Sequence, residues 1–216
     1  RRVLVFQLED AGAPASPNAI AVIGQPDFMR CDIGPLATDT AIWNPNGLAV
    51  DEPNGRLFVS DSSFHRVLVF NVASLDAGMS DAGLRASYVL GQPTMDTSDA
   101  ATSATGLKYP MGLALADDGG TLFVADRDNN RVLRFDVAPS TMDSGIAASG
   151  VLGQSNFTDN TAGFFDAGLE EPSRLAYDGF RKWLFVSDTS NNRVMVFNVV
   201  AVDAGEAAMA VLGQPD

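Results

Sequence analysis

Three aspartates, Asp61, Asp126 and Asp188, each stand five residues before an arginine: Arg66, Arg131 and Arg193. A carboxylate and a guanidinium at that spacing can do one of two things. They can pair across a tight corner, the carboxylate also accepting backbone N–H groups of the turn it opens. Alternatively, several such carboxylates, with loop oxygens of Asp128, Asn129 or Asn191, can gather the roughly six to eight oxygens that calcium takes. The corner reading is the stronger. No D-x-D-x-D-G ladder is present, and each arginine competes for the carboxylate a cation would need. Calcium at Asp61, Asp126 and Asp188 stays as the lesser alternative, and no other cofactor is indicated.

Between carboxylate and arginine the residues differ from copy to copy. Asn129-Asn130 and Asn191-Asn192 suit the positive φ of a hairpin corner, whereas Phe64-His65 take the same two places in another copy. His65, the only histidine, is expected at the surface, as neutral variation or as a ligand contact. A second recurring group is a glutamine after glycine: Gln25, Gln92, Gln154 and Gln214, followed by proline except at Ser155. Glycine permits a bend, proline ends a ladder and the amide serves exposed backbone, so these stretches mark exits from outer strands. Recurrence in every copy argues for architecture, since a catalytic site is asymmetric. Phe164 and Phe165 do not recur and are the better candidates for a recognition patch. G-x-S-x-G, H-E-x-x-H, phosphate-loop and C-x-x-C-H patterns are absent, and no catalytic residue is assigned.

What must position these side chains is a repeat. RVLVF at Arg2 and Arg66, RVLRF at Arg131 and RVMVF at Arg193 are spaced by 64, 65 and 62 residues. The glutamines step by 67, 62 and 60, and PNGLAVD, PMGLALAD and PSRLAYD begin at Pro45, Pro110 and Pro172. Each unit holds four strand-like stretches, such as GLALA, TLFVAD, RVLRFDV and SGVLGQ, joined by turn signals and without helical periodicity. Four short antiparallel strands at a fixed period predict the blades of an all-β propeller. One blade cannot bury both of its faces, so copies must stack. Phe58, Phe123, Phe185 and Phe70, Phe135, Phe197 are expected to fill the inter-blade core. The strands amount to about three and a half four-stranded antiparallel blades in a single region, 1–216. A partial blade covers 1–29, and whole blades cover 43–95, 108–157 and 172–216.

The pattern P-x-G-L-A-V-D … L-F-V-[SA]-D-x-x-N-N-R-V-x-x-F resembles the NHL repeat, a β-propeller family, over Pro45–Val72, Pro110–Val137 and Pro172–Val199. The resemblance implies a propeller. It does not fix a function, because that family includes binding scaffolds, RNA binders and a few metal-dependent lyases. Units of that kind usually run to about 42 residues. The excess here lies in loops such as Ala73–Ala86, Pro93–Tyr109 and Asn156–Glu171, expected on opposite faces and available to partners. Deleting Thr94–Leu107 is then expected to abolish binding and leave the fold intact. Half a ring leaves edges open. The missing blades are expected from the rest of a longer polypeptide with a six- or seven-bladed ring. A second copy lending strands to the split blade, and an open arc in an assembly, are the other arrangements.

Composition narrows the partners. Net charge is −13, and only Lys108 and Lys182 are lysines, which disfavours nucleic acid. No apolar run approaches a membrane span. One cysteine, Cys31, excludes an internal disulfide. The reading is a non-catalytic binding or scaffold propeller with a protein or ligand partner, in an extracellular or periplasmic bacterial setting. Two alternatives are part of a six-bladed lyase or lactonase with an axial metal, and a subunit of an extracellular filament.

Overall fold

Alternating β-branched and aromatic residues, interrupted by short polar corners, fold each unit into an antiparallel meander. The computed structural model describes residues 1–6, 19–30, 36–73, 75, 84–116 and 119–214. Cys31 and most of the Ala73–Ala86 loop lie outside the described residues. β1 (Val3–Val5) and β2 (Ala21–Ile23) form a two-stranded sheet. β3 (Pro45–Asp51), β4 (Arg56–Asp61), β5 (Arg66–Asn71) and β6 (Ala86–Leu90) form the first complete blade. β7 (Pro110–Leu115), β8 (Thr121–Asp126), β9 (Arg131–Asp136) and β10 (Gly150–Leu152) form the second. β11 (Pro172–Asp178), β12 (Trp183–Asp188), β13 (Arg193–Asn198) and β14 (Ala210–Leu212) form the third. Every neighbour in these sheets is antiparallel. β7 lies beside both β3 and β11, so the first strands line a common axis. This is a partial β-propeller of about three and a half blades.

Each inner strand is broken at one place. The register slips between Pro45 and Leu48, between Pro110 and Leu113, and between Pro172 and Leu175. Proline has no N–H to give the ladder, so the strand bulges where it enters. Gly47 and Gly112 sit in the first two bulges, and the next blade's backbone presses on them. A Cβ on Gly47 would lie 2.3 Å from the Met111 carbonyl oxygen, and one on Gly112 would lie 2.8 Å from that of Ser173. Absence of a side chain is what lets consecutive inner strands approach. The corresponding residue of β11 is Arg174, which is exposed.

Packing follows the alternation. Ala49, Phe58, Val67 and Val69 of one blade meet Leu113, Leu122, Leu133 and Phe135 of the next. Ala114, Phe123 and Val132 meet Leu184, Val186, Met195 and Phe197 in the same way. Of the six phenylalanines expected in the inter-blade core, five are buried. Phe185 is only half-buried, because the face of the last blade carries no neighbour. At the other end, Leu48 is 50% exposed where its counterpart Leu113 is 7% exposed. β1 and β2 occupy the third and fourth positions of their blade, with nothing over Leu48 in the first and second. Among the described residues, every first and second strand pairs within its own sheet.

Candidate functional site at the repeated corner

Each corner aspartate closes the second strand of its blade and turns its two oxygens to different tasks. Oδ1 does not take the turn it opens. It accepts N–H groups of the linker that enters the blade: Trp43 (3.0 Å) and Asn44 (2.9 Å) at Asp61, Lys108 (2.6 Å) at Asp126, Glu170 (2.6 Å) at Asp188. Oδ2 receives the arginine, at 3.4 Å for Arg66 Nε and 2.7 Å for both Arg131 Nε and Arg193 Nε. Asn129 and Asn191 also donate their amide N–H groups to Oδ2 of Asp126 and Asp188. The donors around these carboxylates are nitrogens, whereas a hard cation collects oxygens. Burial raises the Asp61 carboxyl and pushes that of Asp126 up to about 6, against the pull of Arg131 and the Lys108 N–H.

The guanidinium then ties two linkers to the corner. Arg66 donates to Met95 O and Ala41 O. Arg131 donates to Phe157 O, Ser103 O and Gly106 O. Arg193 donates to Phe164 O, Phe165 O and Gly168 O. Arg2 repeats part of the pattern by donating to Phe28 O. Each glutamine adds a strap from the outer strand back to the corner. The Nε2 groups of Gln25, Gln92 and Gln154 reach the carbonyls of Arg1, His65 and Asn130, and Gln214 reaches Asn191 and Asn192. Gln92 and Gln154 also hold Asp99 O and Thr161 O of the outgoing linker.

His65 takes the left-handed conformation its asparagine counterparts take, with φ of 53° at His65, Asn130 and Asn192 alike. It is half-buried, not exposed as the sequence suggested. Its Nδ1 accepts the N–H of Tyr109 at 3.1 Å, as Asn130 Oδ1 accepts the N–H of Glu171 at 2.9 Å. Imidazole thus replaces amide because Nδ1 and Oδ1 fall at the same distance from the backbone and both accept. Only neutral imidazole can accept there. Burial lowers the His65 pKa, against the raising pull of Asp128, Asp61 and Asp99 and with the help of Lys108. A group held neutral in the fold contributes stability above its unfolded pKa that is lost as pH falls through the folded one. His65→Asn keeps the acceptor and removes the titration. Its stability relative to the unsubstituted chain is expected to rise from pH 7.5 to pH 5, read by urea unfolding at both; an unchanged difference rules out the neutral acceptor.

The long loops are structural, which the spacing alone did not show. Leu107 is fully buried, and the linker that holds it supplies the carbonyls that Arg66 and Arg131 bind. Deleting Thr94–Leu107 therefore removes core and not only a surface. The two loop sets also meet: Ala148 N–H donates to Ala104 O and Ala208 N–H to Asp166 O, both at 2.7 Å. Gly145 N–H reaches back to Val89 O, and Gly205 N–H to Gln154 O. Those glycines end the stretches Asp143-Ser-Gly and Asp203-Ala-Gly. Asp-Ala-Gly also occurs at Asp10 and Asp76 in the matching places, and out of step at Asp81 and Asp166, so the spelling by itself is not a periodic marker.

Phe164 and Phe165 stand apart from this lacing. Their carbonyls are bound by Arg193, while their rings are 67% and 68% exposed and lie 4.2 Å apart. Among the described residues, no group of three or more His, Cys, Asp or Glu side chains converges. The family model of the NHL repeat matches residues 43–70 and 107–135. Both stretches run from the incoming linker through the Asp–Arg corner. These two units match the NHL repeat. No curated protein sequence matches the chain significantly. Among solved structures, it is similar to a chain of a nidogen/laminin complex (TM-score 0.52, 18% identity, 82% of this chain and 49% of that one). It is also similar to a periplasmic gluconolactonase of Pseudomonas aeruginosa (TM-score 0.51, 17% identity, 78% and 39%). Hydrazine synthase of Kuenenia stuttgartiensis is a third (TM-score 0.50, 13% identity, 86% and 40%). At these identities the likeness is one of fold, and the chain spans half or less of each.

Proposed function

We propose that the protein is a binding or scaffold propeller that engages a protein partner through its linker surface. One observation carries this reading. The recurring Asp, Arg and Gln side chains are engaged in holding linkers to corners, while the non-recurring aromatic pair Phe164–Phe165 is held out to solvent by its own bound backbone. Large, rigid aromatics on a fixed backbone lose little side-chain entropy on docking, and such residues anchor interfaces. An extracellular or periplasmic setting belongs to this proposal, where an acidic surface keeps such modules apart.

The double substitution Phe164→Ser with Phe165→Ser leaves the carbonyl contacts of Arg193 in place. Cross-linking of the purified chain in extract of its own cells, read by mass spectrometry, is expected to yield a defined protein partner. The double variant should reduce its recovery by about tenfold or more. A partner recovered equally by both chains would place recognition elsewhere.

A further inference from the structure

Asn156-Phe157-Thr158 is the single N-x-[ST] triplet in the chain. It opens the linker that leaves β10, two residues after the recurring Gln154. Its middle residue is an anchor: Phe157 is half-buried against the core between the first two complete blades, and Arg131 binds its carbonyl. Asn156 and Thr158 flank that anchor and are exposed.

The triplet turns tightly on the Asn156 side chain. Oδ1 accepts the N–H of Thr158 at 2.8 Å, the N–H of Asp159 at 2.9 Å and the Thr158 hydroxyl at 2.9 Å. Nδ2 has one contact, the exposed Ser155 hydroxyl at 3.3 Å. The sister units show that the turn needs only an oxygen. Asp27, two residues after Gln25, caps the same turn with a carboxylate that accepts the N–H groups of Met29 and Arg30. Thr94 holds that place after Gln92, and Met29 and Asp96 stand where Thr158 does. Neither sister unit brings an amide nitrogen and a hydroxyl together, so the Nδ2 group and the Thr158 hydroxyl are not requirements of the fold.

We propose that Asn156 is an acceptor for an N-linked oligosaccharide. An N-x-[ST] triplet on a surface loop is the acceptor pattern for this modification in a secreted chain. The structure adds the geometry: the Thr158 hydroxyl polarises the amide through Oδ1, while Nδ2 stays open to an incoming sugar. Nδ2 forms a bond to the anomeric carbon of a sugar carried on a lipid pyrophosphate. The bond from that carbon to the phosphate oxygen breaks, the lipid pyrophosphate leaves, and one Nδ2 proton passes to a base of the transferase. Oδ1 is untouched, so the turn survives. The site is separate from the Phe164–Phe165 pair, and it rests on the extracellular or periplasmic setting proposed above, where such acceptors are glycosylated.

The test isolates the chain from its own cells, from inside and outside the cytoplasm. The peptide bearing Asn156 is weighed by mass spectrometry before and after an amidase that removes N-linked sugars and leaves aspartate. Chain from outside the cytoplasm is expected to carry a glycan on that peptide. Thr158→Ala should lose the glycan with Asn156 still present, and Thr158→Ser should keep it. Asn156→Asp should lose it while retaining the cap that Asp27 makes, and it decides the matter if circular dichroism shows Thr158→Ala unfolded. Unmodified Asn156 in chain from outside the cytoplasm overturns the site and leaves the setting standing. Chain found only in the cytoplasm overturns the setting and the site with it. A glycan that persists in folded Thr158→Ala, or that sits on another residue, overturns the assignment to this triplet.

Discussion

Arg131→Ala is expected to destabilise the fold by about 3–5 kcal/mol, because it leaves the carboxylate of Asp126 buried with its counter-charge gone. Both side chains of the pair are fully buried, and the arginine also satisfies carbonyls of Phe157, Ser103 and Gly106. Those carbonyls belong to the linkers on either side of the corner, so the loss spreads to two blade junctions. Arg193→Ala should cost less, since Arg193 lies on the more open last blade and water can replace part of what it donates. The Asp126 carboxyl, already raised to about 6 by burial, would rise further without the pull of Arg131. A carboxyl raised in the folded state contributes stability below its unfolded pKa that is lost as pH rises through the folded value. The deficit of Arg131→Ala should therefore be smaller at pH 5 than at pH 8. Chemical denaturation of both chains at the two pH values reads this directly, and a deficit that is small or independent of pH would remove the ion pair from the account of stability.

The second large effect comes from adding one carbon. Gly47→Ala places a Cβ against the backbone of Met111 and Leu113, at distances no unstrained Cβ adopts. Backbone cannot rotate away as a side-chain tip can, so the blades must separate along their inner strands. A cost of about 3 kcal/mol is expected, at the upper end of ordinary overpacking. Gly112→Ala should behave alike, against Ser173 O and Arg174 Cα. Arg174→Gly, at the corresponding place on the unpartnered face, relieves no contact and should change stability little beyond glycine's own entropy cost. Thermal unfolding of the three variants separates the cases. Equal losses in all three would mean that intrinsic strand propensity, and not blade approach, sets the glycine requirement.

The units were legible because their chemistry is local. Phe58 and Leu57 alternate, Asp61 precedes Arg66 by a fixed count, and Asn130 suits a left-handed corner whatever surrounds it. Such features fix strands, corners and period within a few residues of chain, so one sequence states them several times over. His65 shows where that stops. Its type suggested an exposed variation, and only the neighbouring blade, with the Tyr109 N–H held 3.1 Å from Nδ1, makes it an acceptor. The same holds for the linkers, whose length suggested free surface while Leu107 and the Met95 carbonyl were fastening points.

By itself, then, the sequence determined the four-stranded unit, its repetition and the pairing of each corner carboxylate with its arginine, because strand alternation and turn chemistry act over neighbouring residues. Which linker each carboxylate holds and how closely Gly47 lets β7 approach were decided only by tertiary structure. The first depends on linker backbone 17 or 18 residues before each aspartate and the second on backbone of the next blade at Met111, and nothing local specifies where either comes to rest.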